Sequence, residues 1–128
     1  MISGNKHLTT ECCEITIEQG VSVITAIADV SYETVRETLD IVAQQFPYQR
    51  RLWDISTVHF DFNMQELMAI SNHSNAIYLE PNKLAIFVTD ELALAEMSQL
   101  IAFREKEGVS QTRAFKDKEQ AMQWLLAD

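Results

Sequence analysis

Apolar positions along this chain switch repeatedly between a period of two and a period of about 3.6, the mark of strands alternating with helices. Glu14-Ile15-Thr16-Ile17-Glu18 alternates strictly, which predicts a half-buried strand at a sheet edge. Gln19-Gly20 offers a tight turn. Val21 to Ala28 then returns with apolar residues on both parities, so this second strand is expected to lie further inside. Ser31 is a good N-cap for a helix running to Phe46, and Tyr32, Val35, Leu39, Val42 and Phe46 form its apolar stripe. Pro47 stops it.

Arg51-Leu52-Trp53-Asp54-Ile55-Ser56 is a short apolar-centred run between helical patterns. It reads as a strand that feeds a polar loop, Ser56 to Asn63. Asn63 with Glu66 three residues on makes a capping-box start for a helix with its stripe on Met64, Leu67, Ile70 or Ser71, Ser74 and Ile77, ending near Glu80. Leu84-Ala85-Ile86-Phe87-Val88 is the most uniformly apolar run and is expected near the sheet centre, covered on both faces. Thr89 or Asp90 caps a long helix to Glu107, with Gly108 as its C′ residue. Thr112 to Lys116 is a weaker strand for the opposite edge. Asp117 to Gln120 caps a last helix packing through Ala121, Met122 and Leu125, with Trp124 close by.

The expected fold class is therefore α/β: a mixed, mainly parallel five-stranded sheet with four helices in the order ββαβαβαβα. Residues 1–13 read as a loosely ordered leader and 14–128 as a single domain. Trp53, in a short interior strand, is expected to be buried.

Composition narrows the function. With 47% hydrophobic and 23% charged residues the chain has the balance of a soluble globular domain. No apolar run reaches the ~20 residues that cross a bilayer, and the cytoplasm is the expected compartment. Nineteen acidic against ten basic residues give a net charge of −9, which argues against nucleic-acid or anionic-membrane partners. Arg50-Arg51 is the one candidate basic patch, and two residues are too few to carry that argument. Cys12 and Cys13 are adjacent, without a C-x-x-C or a second pair for zinc, and are expected as reduced thiols near a strand start.

Candidate chemistry gathers after the third and fourth strands, because ligands of open α/β sheets meet the loops at the carboxyl ends of strands. Asp54, Ser56, Thr57, His59, Asp61 and Asp90 are the candidate partner- or ligand-binding residues there. Asp54 is expected to accept loop N–H bonds. His59 and Asp61 with Asp90 have the residue types for acid–base work or a metal, yet a solvated His and helix-start carboxylates explain them equally well. The three glycines form no phosphate loop, and no G-x-S-x-G elbow occurs. No catalytic residue, metal or cofactor is assigned. On the helix from Glu91 to Glu107, Ala93, Leu94, Met97, Leu100 and Ile101 make the face expected to pack on the sheet. Leu92 and Phe103 stand off it beside Ala95 and Gln99, a possible contact stripe for a homodimer or partner.

The run Leu52-Trp53-Asp54-Ile55-Ser56-Thr57-Val58-His59-Phe60-Asp61 resembles the corresponding segment of STAS domains, the fold of bacterial anti-sigma-factor antagonists and sulfate-transporter tails. The chain is more similar still to a STAS-like family of small bacterial proteins often grouped with Sec14-type lipid-binding domains. That likeness rests on the Leu52-Trp53-Asp54 strand, the Lys83 to Val88 strand, and Phe115-Lys116-Asp117 with Ala121 and Trp124-Leu125. Signalling STAS domains phosphorylate the first Ser of an Asp-Ser-Ser-Gly-type helix start. Here the matching place reads Asp61-Phe62-Asn63-Met64, so the resemblance implies the fold without that phosphoserine switch. The expected role is a non-catalytic binding or regulatory module acting through protein contact, as a homodimer or with a partner. The alternatives are a carrier of a small apolar or lipid-like ligand, which the Sec14 likeness suggests, and an acid-dependent enzyme around His59, Asp61 and Asp90.

Overall fold

The computed structural model describes residues 7–46, 49–58, 62–78, 81–105 and 110–127, with backbone only at 103–105 and 110. Its elements in chain order are β1 His7–Thr9, β2 Cys13–Glu18, β3 Val21–Ala26, α1 Tyr32–Gln45, β4 Arg50–Asp54, α2 Met64–Ile77, β5 Asn82–Phe87, α3 Glu91–Glu105, β6 Ser110–Phe115 and α4 Lys118–Leu126. The strands form one sheet in the order β1-β2-β3-β4-β5-β6. The two pairings from β1 to β3 are antiparallel and the three from β3 to β6 are parallel. A mixed, mainly parallel sheet with four helices is thus the fold.

Three sequence expectations need correction. The sheet has six strands, because His7–Thr9, placed in the leader, pairs with Glu14–Thr16. The edge expected at Glu14–Glu18 therefore moves one strand outward, and that stretch is flanked on both sides. A three-residue strand carries too little periodicity to be read from sequence. Second, Leu84–Val88 lies in the penultimate strand, not at the centre. Its apolar character reflects cover on both faces, which a strand beside the edge also has here. Third, Trp53 is half-buried. It bridges two apolar clusters at the margin of the helical layer instead of filling a sealed core.

Strand parity sorts the core. Successive side chains point to opposite faces, so Ile24 joins the α1 cluster while Val21 and Val23 join the α4 cluster. Likewise Leu84 and Ile86 face α3, and Ala85 faces α4. Strand order advances in one direction from β3 to β6, and right-handed crossovers then put the intervening helices on the same face. The result is three layers, with α1, α2 and α3 on one side of the sheet and α4 on the other.

Local signals set the helix boundaries. Ser31 and Asn63 each close a capping box, with Thr34 and Glu66 returning the bond to the cap backbone. Asp117 accepts from the Gln120 N–H to start α4. Pro47, Glu80 and the segment with Glu107 and Gly108, proposed as stops, lie outside the described residues. The β2–β3 turn places Gln19 and Gly20 at φ of 53° and 78°, a left-handed pair of the kind a tight hairpin demands.

Candidate functional site

Two concave regions stand at different depths. The first lies where the loops after β4 and β5 meet α3. Asp54 Oδ1 accepts from the Ser56 N–H at 3.1 Å and from the Ser56 hydroxyl at 2.6 Å, folding the chain back as an Asx-type turn. Thr89 Oγ1 donates to the Ser56 carbonyl at 3.1 Å and ties the two loops together. Asp90 begins α3: its carbonyl accepts from the Leu94 N–H and its Oδ1 from the Leu92 N–H. The loops enclose a groove of about 360 Å³, with Ser56, Thr57, Thr89, Asp90, Leu92 and Glu96 among its lining.

Ser56, Thr57 and Asp90 therefore come together as expected from sequence. Asp54 shapes the loop behind them, while His59 and Asp61 lie outside the described residues. The lining carries the carboxylates of Asp90 and Glu96 and no Lys or Arg, so it favours polar or cationic groups over anions. Among the described residues no group of three or more His, Cys, Asp or Glu side chains stands close enough to hold a metal ion. Leu92 on the rim is 66% exposed, and Ala95 and Gln99 beside it are exposed as well. The Phe103 side chain lies outside the described residues.

The second region is a cavity of about 90 Å³ between the sheet and the three-helix layer. Leu39 of α1, Ile70 of α2, Leu84 of β5, Met97 and Leu100 of α3, and Trp53 form much of its wall. Among the described lining residues the polar ones are Arg51, Ser71 and Ser74. Trp53, Ile55, Phe62 and Ile70 are only half-buried, so the cavity reaches toward the surface on their side.

Arg51 is the anomaly. It shares strand parity with Trp53, two residues on, and so points into the helical layer. Its side chain is 1% exposed, yet among the described residues no carboxylate pairs with it. Nη2 donates to Asn82 Oδ1 at 2.7 Å, and Nη1 makes a long 3.4 Å contact to Ser74 Oγ. The guanidinium lies 3.8 Å from the centre of the Tyr78 ring, a cation–π contact. Ser74 and Tyr78 belong to the last turn and C-cap of α2, which has no basic residue of its own there. Arg51 thus sits against the negative end of that helix. These contacts leave Nε, and the Tyr78 hydroxyl beside it, without a partner among the described residues. Burial pulls the Arg51 guanidinium down to about 10, so it stays charged at neutral pH. The same burial raises the Tyr78 phenol, with the guanidinium partly offsetting the shift.

Cys12 and Cys13 lie under α1, both buried and unbridged, with their sulfurs 3.2 Å apart. The Cys13 thiol donates toward Cys12 and draws its pKa down, helped by Thr38 at 3.6 Å. The pKa of Cys13 rises because of that bond and its own burial. His73, half-buried on α2, bridges to α1 through Asp40 at 2.7 Å and Arg36 at 3.4 Å.

No family model and no curated protein matches the chain. Among solved structures it is similar to an uncharacterised protein of the DUF3478 family with a SpoIIAA-like fold from Shewanella loihica PV-4. The two superpose with a TM-score of 0.58 at 15% identity, over 98% of this chain and 99% of that one. Identity at that level bears on architecture alone: the chain has a SpoIIAA-like, that is STAS-like, α/β fold.

Proposed function

We propose that this chain is a non-catalytic binding module that encloses a small apolar ligand between its three-helix layer and its sheet. The observation that carries the reading is the apolar cavity of about 90 Å³. Protein interiors are packed as tightly as organic crystals, with few voids larger than a water molecule. This cavity opens toward the surface beside Trp53 and Phe62, so a ligand can enter it. Its walls are large side chains, such as Trp53, Met97 and Leu100, that stand apart instead of closing it. A bound apolar group would restore the missing dispersion contacts.

Native mass spectrometry of freshly purified protein tests this. The expected result is a population carrying an additional mass that disappears on denaturation. Bare protein throughout, together with no binding of added small apolar compounds, would overturn it.

A protein-contact reading is favoured by one observation, the exposure of Leu92 beside Ala95 and Gln99 on α3. It makes this face a homodimer or partner contact, the stripe on which the sequence also places Phe103. The absence of a hydroxyl at Asp61-Phe62-Asn63 supports such a module working without a phosphoserine at the α2 start. The two readings are compatible, since α3 offers one face to the cavity and the other to solvent.

A further inference from the structure

The cavity is not uniformly apolar, and the one charged residue among its described lining has an unusual environment. A buried guanidinium carries five N–H donors and a full positive charge, and proteins ordinarily pair such a group with a carboxylate. Arg51 has one short hydrogen bond, to a neutral amide, and one long contact, to a hydroxyl. Its Nε has no acceptor among the described residues. The chain carries nineteen acidic residues, so carboxylates are abundant, yet no described one approaches this site.

We propose that Arg51 anchors the carboxylate of a small apolar monoanion whose body occupies the cavity. The proposal rests on the enclosed-ligand reading above and adds the chemical class of the ligand. A planar guanidinium with a free donor matches a carboxylate, and charge-assisted bonds of this kind are among the strongest available. The hydroxyls of Ser71 and Ser74 line the same cavity and give the carboxylate a second type of neighbour. One guanidinium neutralises one charge. A dianion would leave a second charge unpaired in an apolar chamber, where it is costly. Size sets the rest. An engineered cavity of ~150 Å³ admits benzene, so about 90 Å³ fits a short branched aliphatic body better than a long acyl chain.

The test is calorimetric titration of the full chain with isovalerate, its matched alcohol 3-methylbutan-1-ol, and octanoate. Wild type is expected to bind isovalerate at least tenfold more tightly than the alcohol, and octanoate more weakly than isovalerate. Arg51→Met is expected to bind acid and alcohol alike, while Arg51→Lys, which keeps the charge without the planar fork, retains part of the preference. Equal binding of acid and alcohol by wild type overturns the anchoring role and leaves the enclosed-ligand reading standing. A preference for the acid that survives Arg51→Met also overturns it, since the anion is then held elsewhere. Tighter binding of octanoate overturns the size assignment and points to a lipid-derived acid. Binding of none of the three removes the enclosed-ligand reading as well. The comparison of acid with alcohol needs only wild type, so it stands even if a variant does not fold.

Discussion

Replacing Arg51 with Met separates a guanidinium kept for a ligand from one kept to hold the fold together. Burial lowers the Arg51 pKa from its ordinary 12.5 to about 10. At 1.36 kcal/mol per unit, that shift corresponds to about 3 kcal/mol of unfavourable charge burial at neutral pH. Methionine removes the charge and keeps an unbranched apolar stem, though one shorter than arginine's. Against this gain stand the 2.7 Å charged bond to Asn82 Oδ1, whose loss costs about 2 kcal/mol, and the cation–π contact with Tyr78, worth about 1 kcal/mol. The net expectation is a variant within about 1 kcal/mol of wild-type stability. For a chain of this length that is a change in Tm of no more than roughly 5 °C. Urea unfolding followed by tryptophan fluorescence gives the midpoint and slope. The sign of the pH dependence is fixed as well. Between pH 10 and 12.5 the unfolded chain binds more protons than the folded one, so wild-type stability gains from rising pH in that window. The contribution from removing the buried charge is therefore full below pH 10 and shrinks above it. If Arg51→Met is less stable than wild type by more than about 1 kcal/mol, the guanidinium is a net structural clamp. The case for an absent anion then loses its basis.

Asn63→Ala breaks the capping box that starts α2 and should cost about 1 kcal/mol in the same urea assay; no change would mean that the cap is not what fixes this helix start. Cys12 and Cys13, at 2% and 0% exposure, should resist iodoacetamide in native buffer and react fully in urea; rapid native alkylation of either would show that the β1–α1 region opens readily. Light scattering should give a dimer mass for wild type and a monomer for Leu92→Glu/Phe103→Glu. A monomeric wild type that captures no partner through this face, or a double variant that remains dimeric, removes the α3 contact reading.

Much of the architecture was legible because it follows from short-range rules. Ser31, Asn63 and Asp117 announce their helices by side-chain chemistry that acts within four residues. The stripe Val35, Leu39, Val42 and Phe46 is buried as its spacing demands. The parts that sequence concealed depend on pairing at a distance. His7–Thr9 is a strand only because Glu14–Thr16 lies beside it. The site divides in the same way. Ser56, Thr57 and Asp90 converge because strand ends of an open sheet converge. In sequence Arg51 reads only as half of a basic pair, Arg50-Arg51, too short to carry an argument. Its parity with Trp53 was a usable clue, because a strand whose Trp points inward must turn the residue two places earlier the same way. The partners that give it meaning, Ser74, Tyr78 and Asn82, lie 23 to 31 residues away in sequence, and no local pattern connects them.

The central claim is that the cavity beside Arg51 is a ligand site, and a nitrogen-15 amide and indole NMR titration with isovalerate tests it most directly. The account predicts shifts that saturate and cluster on the Trp53 indole, Ile70, Ser71, Ser74 and Leu84, with the Ser56–Asp90 groove unmoved. Shifts confined to Ser56, Thr57, Asp90 and Leu92, or none at millimolar isovalerate, would contradict it.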